Sequence, residues 1–271
     1  MKKYMLALGL SLLTVLGLFT GCSPKAETAS GSDSLKIVAT IFPEYDWVRQ
    51  VLGDRAGEVQ LTLLLDSGTD LHSYQPTAAD MLTIGECDLF LYNGGESDAW
   101  VERVLAAAAN PDRRTLSVME VLGDSVLEEE VVEGMQEAED HDHAEGEAHE
   151  EEADEHVWLS LRNARTACAE IARVLGELDP DHAAEYQANA ENYMAELEAL
   201  DGEYAALAEN AARRTVLVGD RFPFRYLMDD YGLEYYAAFS GCSAETEASF
   251  ETIAFLSGKT EELALPCILT T

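Results

Sequence analysis

The sequence predicts an α/β protein in which two domains with parallel sheets are joined by one long linking helix. Short apolar runs alternate with amphipathic segments along most of the chain, which is typical of successive strand–helix units. One amphipathic segment, 181–211, separates two such series. Hydrophobic residues make up 47% of the 271 residues, enough to bury one large core or two small ones.

The N-terminus resembles a secretory signal of the lipoprotein type. A basic start, Met1 to Lys3, is followed by an uncharged apolar stretch, 4–20, and then by Gly21 and Cys22. We expect cleavage after residue 21 and acylation of Cys22, which would hold the protein by its lipid at the outer side of a bacterial membrane. An uncleaved anchor helix is the alternative. Residues 22–34, rich in Ser, Ala, Gly and Thr, predict a flexible tether.

The first domain, 35–180, is expected to carry a parallel sheet covered by helices on both faces. Pro76 is expected to start one helix and Ser97 to cap the next. Ligands of such sheets bind beyond the carboxyl ends of the strands, where His72 lies. The predicted strands are 35–41, 59–65, 88–92 and 115–118, and the predicted helices are 44–52, 76–84, 97–109 and 162–178.

The linking helix is predicted over 181–211, since its apolar residues recur every three or four positions. Gly202 costs about 1 kcal/mol against Ala inside a helix, so a hairpin broken near Gly202 is the alternative to a single strut. The second domain, 212–271, looks smaller than the first and incomplete at its end; a genuinely short C-terminal domain is the alternative. Its predicted strands are 215–218, 233–239 and 267–270, and its predicted helices are 226–231 and 247–257.

The formal charge of −35 argues against nucleic acid as a partner, because phosphate binding needs clustered Lys and Arg. It favours cations. Much of it lies in the segment 128–155, which we interpret as a mobile surface loop within the first domain. This loop also carries His141, His143 and His149, so it is a candidate for accessory metal capture. The alternative is a solvated acidic loop with incidental histidines.

The cysteines other than Cys22 match no metal or redox motif of the C-x-x-C type. Cys87 and Cys168 stand in apolar or helical surroundings and are interpreted as core residues. A disulfide between Cys242 and Cys267 is possible in an exported protein, and the sequence leaves it open.

Two histidines outside the acidic loop's centre, His72 and His156, each lie where a loop meets an element of the first domain. A neutral imidazole is a good ligand for Zn²⁺. Their flanking segments, Leu71 to Pro76 and Asp154 to Leu159, resemble the ligand motifs of the zinc- and manganese-binding lipoproteins that feed ABC importers, the cluster A-I solute-binding proteins. Further segments similar to that family are 40–43, 93–96 and 230–233.

The resemblance implies that His72 and His156 are the first two metal ligands. The family's third ligand, His or Glu, falls 12 residues before the position of Leu233, which here is Arg221 and cannot ligate. We therefore take Asp220 as the candidate third ligand, with a one-residue insertion around 222–223; a helix N-cap without metal is its alternative role. The family's fourth ligand, an Asp, comes nearer the full-length C-terminus than this chain extends.

We therefore expect a lipid-anchored, monomeric, extracytoplasmic binding protein that captures Zn²⁺ and hands it to an ABC permease and its ATPase, without catalysis. Manganese or iron is the alternative cargo, because Asp in place of a third His makes a harder site. Two rival functions remain. A secreted metallohydrolase would use the open coordination position to activate water, and a metal buffer would use the acidic loop as a sink without any permease.

Overall fold

Two parallel sheets, one of four strands and one of two, form the framework of residues 35–270. The structure, a computed structural model, describes residues 34–66, 68–107, 110–136, 152–243 and 247–270. The predicted signal peptide 1–21, Cys22 and all but the last residue of the predicted tether lie outside the described residues. Where the structure does describe the chain, no helix is both long and apolar enough to cross a membrane.

The larger sheet has the strand order β2-β1-β3-β4, with every neighbouring pair parallel. Its strands are β1 (Lys36–Ala39), β2 (Gln60–Leu63), β3 (Leu89–Tyr92) and β4 (Arg114–Ser117). Because the strands are parallel, their carboxyl ends lie at one edge, and the loops that follow them meet there.

Helices cover both faces of this sheet, as predicted. They are α1 (Phe42–Leu52), α2 (Ala78–Glu86), α3 (Val101–Ala106), α4 (Val118–Leu122) and α5 (Leu161–Leu178). Alternation along the strands gives two cores: Ile37 and Leu91 are buried with residues of α1 and α5, whereas Val38 and Phe90 are buried with residues of α2 and α3. Cys87 and Cys168 are fully buried, as expected.

Two helices do not begin at the residues predicted to start or cap them. Helix α2 begins after Thr77, not at Pro76, because Thr77 and Asp80 form a reciprocal capping box. Ser97 does not cap a helix: it lies in the 3₁₀ turn Glu96–Asp98, and α3 begins only at Val101. The backbone N–H of Ser97 instead donates to Glu155, so a tertiary contact takes the place of the expected cap.

The linking helix α6 (Ala183–Glu209) is continuous through Gly202, so the alternative of a broken hairpin is wrong. Tyr186 and Ala190 in its first half are buried in the core shared with α1 and α5. Its second half is less covered, and Leu207 is 69% exposed. The helix is therefore a component of the first core as well as the connection to the second sheet.

The second sheet pairs β5 (Thr215–Phe222) with β6 (Glu234–Ser240), and α7 (Arg225–Tyr231) and α8 (Phe250–Glu262) accompany it. The predicted strand 267–270 is reduced to one parallel bridge between Leu269 and Val218. We call residues 35–127 with 152–178 the first lobe and residues 215–270 the second lobe. The domain boundaries of the sequence analysis stay a prediction.

Candidate metal centre

His72 and His156 meet at the carboxyl edge of the larger sheet. His72 lies in the 3₁₀ turn Leu71–Ser73 that follows β2, and Asp70 caps this turn by accepting the His72 backbone N–H at 3.0 Å. His156 directly precedes the turn Val157–Leu159. The two Nε2 atoms lie 3.3 Å apart although the residues are 84 positions apart in sequence.

Asp154 fixes the ring of His156. Its Oδ1 accepts the backbone N–H of His156 at 2.8 Å and lies 3.0 Å from the ring Nδ1. A carboxylate at Nδ1 favours the tautomer that leaves Nε2 free to bind a metal. Gly241 of the second lobe packs against the same ring, where a Cβ atom would lie only 2.7 Å from His156 Cε1 and 2.9 Å from Nδ1. The His156 imidazole is thus held between the lobes.

Glu155 points its carboxylate toward His72. Its Oε1 accepts the Ser97 backbone N–H at 2.8 Å, and Asn93 donates to its backbone carbonyl at 2.8 Å. Its Oε2 is buried, lies 3.5 Å from His72 Nδ1 and makes no hydrogen bond to any described residue. Gly95 permits this approach: its φ is +81°, and a Cβ there would lie 2.3 Å from Oε1.

Burial by itself raises the pKa of the Glu155 carboxyl, but the contacts from His72 and Ser97 outweigh burial and hold the pKa below its usual value. Glu155 is therefore a carboxylate beside His72 at neutral pH. A buried carboxylate oxygen with this charge attracts a cation.

Cys242 follows β6 and brings a thiol to the same point. One ligand atom from each of His72, Glu155 and Cys242 lies within 4.8 Å of the others. Burial raises the pKa of the Cys242 thiol, and the Glu129 and Asp154 carboxylates raise it further. The disulfide left open by the sequence is not formed, since Cys242 and Cys267 are both free thiols.

Asp220 and Arg221, both in the second lobe, border a cavity next to the two histidines. The cavity has a volume of about 830 Å³ and is also lined by His72 and His156. Asp220 lies within β5, beside an irregularity in strand pairing between Val218 and Arg221, so the alternative role as a helix N-cap is wrong. Its Oδ1 accepts the Arg221 backbone N–H at 2.9 Å. The structure places Asp220 in the cavity but not in the group of three ligand atoms.

Arg221 occupies the position where the resemblance expects a third ligand. Both terminal nitrogens of its guanidinium lie 3.3 Å from Asp70 Oδ2. This ion pair spans the two lobes at the cavity rim. A guanidinium stays protonated and cannot ligate a cation, so Arg221 is not a metal ligand.

Two further carboxyls are buried beneath this edge of the sheet. Burial raises the pKa of Glu44 to about 8, with the Asp98 carboxylate as the next contribution. Burial also raises the pKa of Asp98 to about 6. The Glu44 Oε2 atom accepts hydrogen bonds from Thr40 and Ile41. These groups make the first lobe unusually polar at its interior, directly under the candidate metal ligands.

The acidic segment is ordered at both of its described ends. Glu128 and Ala153 form an antiparallel bridge, and Met135 is buried in the core of the second lobe. The interpretation as a mobile loop is therefore wrong for 128–136 and 152–155. His141, His143 and His149 lie outside the described residues.

Sequence reasoning missed Glu155, Cys242 and Ser97 as members of this site. Glu155 was visible only as a flank of the His156 motif. No local pattern marks Cys242, because its neighbours come from loops far away in sequence.

The chain is similar to known metal-binding proteins. A family model described as "ZnuA: Zinc-uptake complex component A periplasmic" matches residues 37–271. The zinc-binding lipoprotein AdcA of Streptococcus pneumoniae serotype 4 is 34% identical over 256 residues, which are 94% of this chain and 48% of that protein. The high-affinity zinc uptake system protein ZnuA of Bacillus subtilis is 30% identical over 234 residues, 86% of this chain and 70% of that protein.

Solved structures agree with the fold. The crystal structure of Zn(II)-bound AdcA from S. pneumoniae matches with a TM-score of 0.66 and 28% identity, covering 88% of this chain and 46% of that chain. The metal-dependent lipoprotein YcdH from B. subtilis matches with a TM-score of 0.68 and 26% identity, covering 88% of this chain and 79% of that chain. The chain spans about half the length of the AdcA proteins that it matches.

Proposed function

This chain belongs to the family of zinc-uptake complex component A proteins, and from that premise we propose that it captures Zn²⁺ outside the cytoplasm and delivers it to an ABC permease with its ATPase. The names of the similar AdcA and ZnuA proteins, zinc-binding lipoprotein and zinc uptake system protein, support this cargo and this role. A lipid on Cys22 would hold the protein at the membrane. No catalytic step is part of the proposal.

The observation that carries the proposal is the 3.3 Å separation of the His72 and His156 Nε2 atoms. Two nitrogens that each lie about 2.05 Å from a tetrahedral zinc ion are roughly 3.3 Å apart. The two rings are therefore already spaced for one ion, and the Asp154 contact orients one of them for this purpose.

Asp220 is the proposed third ligand, because it borders the same cavity from the other lobe. The cavity is much larger than one ion, so water has access to the remaining coordination positions. Imidazole nitrogen suits zinc, whereas an added carboxylate tolerates manganese or iron as well. His141, His143 and His149 are proposed as weak accessory ligands that raise the local zinc concentration.

Calorimetric titration of the metal-free protein with Zn²⁺ tests the proposal. His72→Ala and His156→Ala should each lower zinc affinity on the order of 100-fold or more, since each removes one of few protein ligands. His182→Ala is the matched control, because His182 pairs with Asp179 outside this cavity. Affinity should also fall on acidification, since only a neutral imidazole ligates.

Unchanged affinity in both ligand variants would refute the site. Delivery needs a separate measurement: uptake of labelled zinc by host cells that carry or lack this protein, with the permease present in both. Equal uptake at low external zinc would refute the transport role even if binding is tight.

A further inference from the structure

Three side chains from distant segments form a second group of ligand atoms beside the histidine pair. His72 follows β2, Glu155 precedes the turn Val157–Leu159, and Cys242 follows β6. Their ligand atoms all lie within 4.8 Å of one another. His72 is shared with the pair: its Nε2 faces His156, whereas its Nδ1 lies 3.0 Å from Ser97 Oγ and 3.5 Å from Glu155 Oε2.

One oxygen of the Glu155 carboxylate has no hydrogen-bond partner at this position. The side chain is 3% exposed, and Oε2 has no hydrogen-bond partner among the described residues, although Oε1 has one. An unsatisfied buried polar atom costs about 1–3 kcal/mol, and more when it is charged. Such an atom, close to an imidazole and a thiol, is suited to bind a metal ion.

Cys242 is held in place independently of any ion. Its backbone N–H donates to Glu129 Oε1 at 2.9 Å, and the preceding Gly241 packs against His156. The second lobe thus brings a thiol to the first-lobe ligands, on the side where Arg221 cannot serve. A thiolate is a soft ligand that favours zinc over manganese, whereas carboxylates alone do not.

We propose that Glu155 and Cys242 are metal ligands and form with His72 a thiolate–carboxylate–imidazole position for the captured zinc-class cation. The proposal deepens the proposed function and rests on it, because both positions need the His72 ring: the ion would bind through Nδ1 beside Glu155 in one position and through Nε2 beside His156 in the other. On binding, the Cys242 Sγ–H bond breaks, a sulfur–metal bond forms, and the proton leaves to solvent. The thiolate then supplies selectivity for zinc over manganese, and it ties the two lobes together through the ion.

Cobalt(II) is the probe for this position, because thiolate ligation gives Co²⁺ an intense near-ultraviolet sulfur-to-metal absorption that nitrogen and oxygen ligands do not give. The reduced full chain, loaded with one equivalent of Co²⁺, should show this band. Cys242→Ser should lose it and should lower the zinc-over-manganese affinity ratio at least tenfold. Cys267→Ser is the matched control, since it removes an exposed thiol of the same lobe.

Glu155→Gln is the second variant, which keeps the shape of the side chain and removes its charge. It should keep the sulfur band, shift the visible cobalt bands and weaken Co²⁺ binding. Circular dichroism and the melting temperature establish that each variant is folded, and Glu155→Gln still reports on the position if the serine variant does not fold.

The outcomes separate this inference from the proposed function. Tight Co²⁺ and Zn²⁺ binding without a sulfur band in the wild-type protein would overturn the inference and leave the histidine site standing. A band that survives in Cys242→Ser would overturn it too, since another thiol would be the ligand. Absence of binding for either metal would overturn both proposals.

Discussion

The two sides of the metal cavity differ in how firmly their polar groups are held. On the first lobe, His156, Glu155 and Asp154 are nearly fully buried and bonded to one another or to the sheet edge. On the second lobe, Asp220 and Arg221 are only partly buried, and their side chains bond to an adjacent backbone N–H and to Asp70. The proposed ligands of the first lobe are therefore held firmly, whereas Asp220, one proposed ligand from the second lobe, is held less firmly.

Burial of the carboxyl groups in the first lobe lowers folding stability, because each buried carboxyl loses its contact with water. The first lobe contains Glu44, Asp98 and Glu155 close to the same sheet edge, and mutual repulsion contributes to the raised pKa values of Glu44 and Asp98. The following variants test whether buried polar groups lower the folding stability of the first lobe, and whether polar groups of the second lobe contribute little to it.

Glu44→Gln should have the largest effect, on folding stability and its pH dependence. Burial raises the pKa of Glu44 from 4.5 to about 8, so between these pH values the folded protein holds a proton that the unfolded chain has released. Stability from this group is fully present below about pH 4.5 and is lost as the pH rises through 8. The uncharged variant should match the wild type at pH 5 and gain about 2–4 kcal/mol over it near pH 8.

Urea unfolding at pH 5 and pH 8 measures this difference. Glu102→Gln, on the exposed surface of α3, is the control and should show the same offset from the wild type at both values. A Glu44→Gln offset that does not change with pH would show that Glu44 is already ionised in the folded protein.

Asp154→Asn should have the next effect, on zinc affinity. It removes the carboxylate at His156 Nδ1 and so loosens the ring and its tautomer. Loss of a carboxylate that hydrogen-bonds to a metal-binding histidine lowers metal affinity about 10–100-fold, or about 1.4–2.7 kcal/mol. Calorimetric titration measures the change.

Asp179→Asn provides a matched comparison for Asp154→Asn, because Asp179 also pairs with a histidine, His182, but outside this cavity. It should leave zinc affinity unchanged. Equal affinities for both Asp variants would mean that the first lobe does not hold His156 ready for the ion.

Arg221→Met should have the smallest effect on stability. The Arg221–Asp70 ion pair is partly exposed on both sides, and such pairs contribute about 0–1 kcal/mol. Removing a guanidinium from the cavity rim also removes repulsion of a dication, so zinc affinity should rise several-fold at low salt and less at high salt. Zinc titrations at two ionic strengths check this, with the exposed Arg213→Met as the control.

A stability loss well above 1 kcal/mol in Arg221→Met would contradict the comparison, since it would make the second lobe's contacts as important to the fold as those of the first. Reduced zinc affinity would show that Arg221 organises the site instead of opposing the ion.

Most of the fold could be predicted from sequence, because burial on both faces leaves apolar runs for parallel strands and regular apolar spacing for α5 and α6. The starts of α2 and α3 were mispredicted where local signals competed. Pro76 and Thr77 are both helix-start residues, and the capping box decided between them. Ser97 looks like a cap in sequence, yet its N–H is claimed by Glu155, 58 positions later.

The sequence by itself determined that this chain has parallel strands, a long continuous amphipathic segment and two histidines that follow or precede elements of the first sheet. These properties depend only on the spacing of residues along the chain, which is the same in the unfolded and folded states. Only the tertiary structure decided which groups lie close enough together to share an ion. Nitrogen, oxygen and sulfur atoms of His72, Glu155 and Cys242 come within 4.8 Å because three loops pack at one sheet edge, and packing across 170 residues of separation leaves no periodic trace in the sequence.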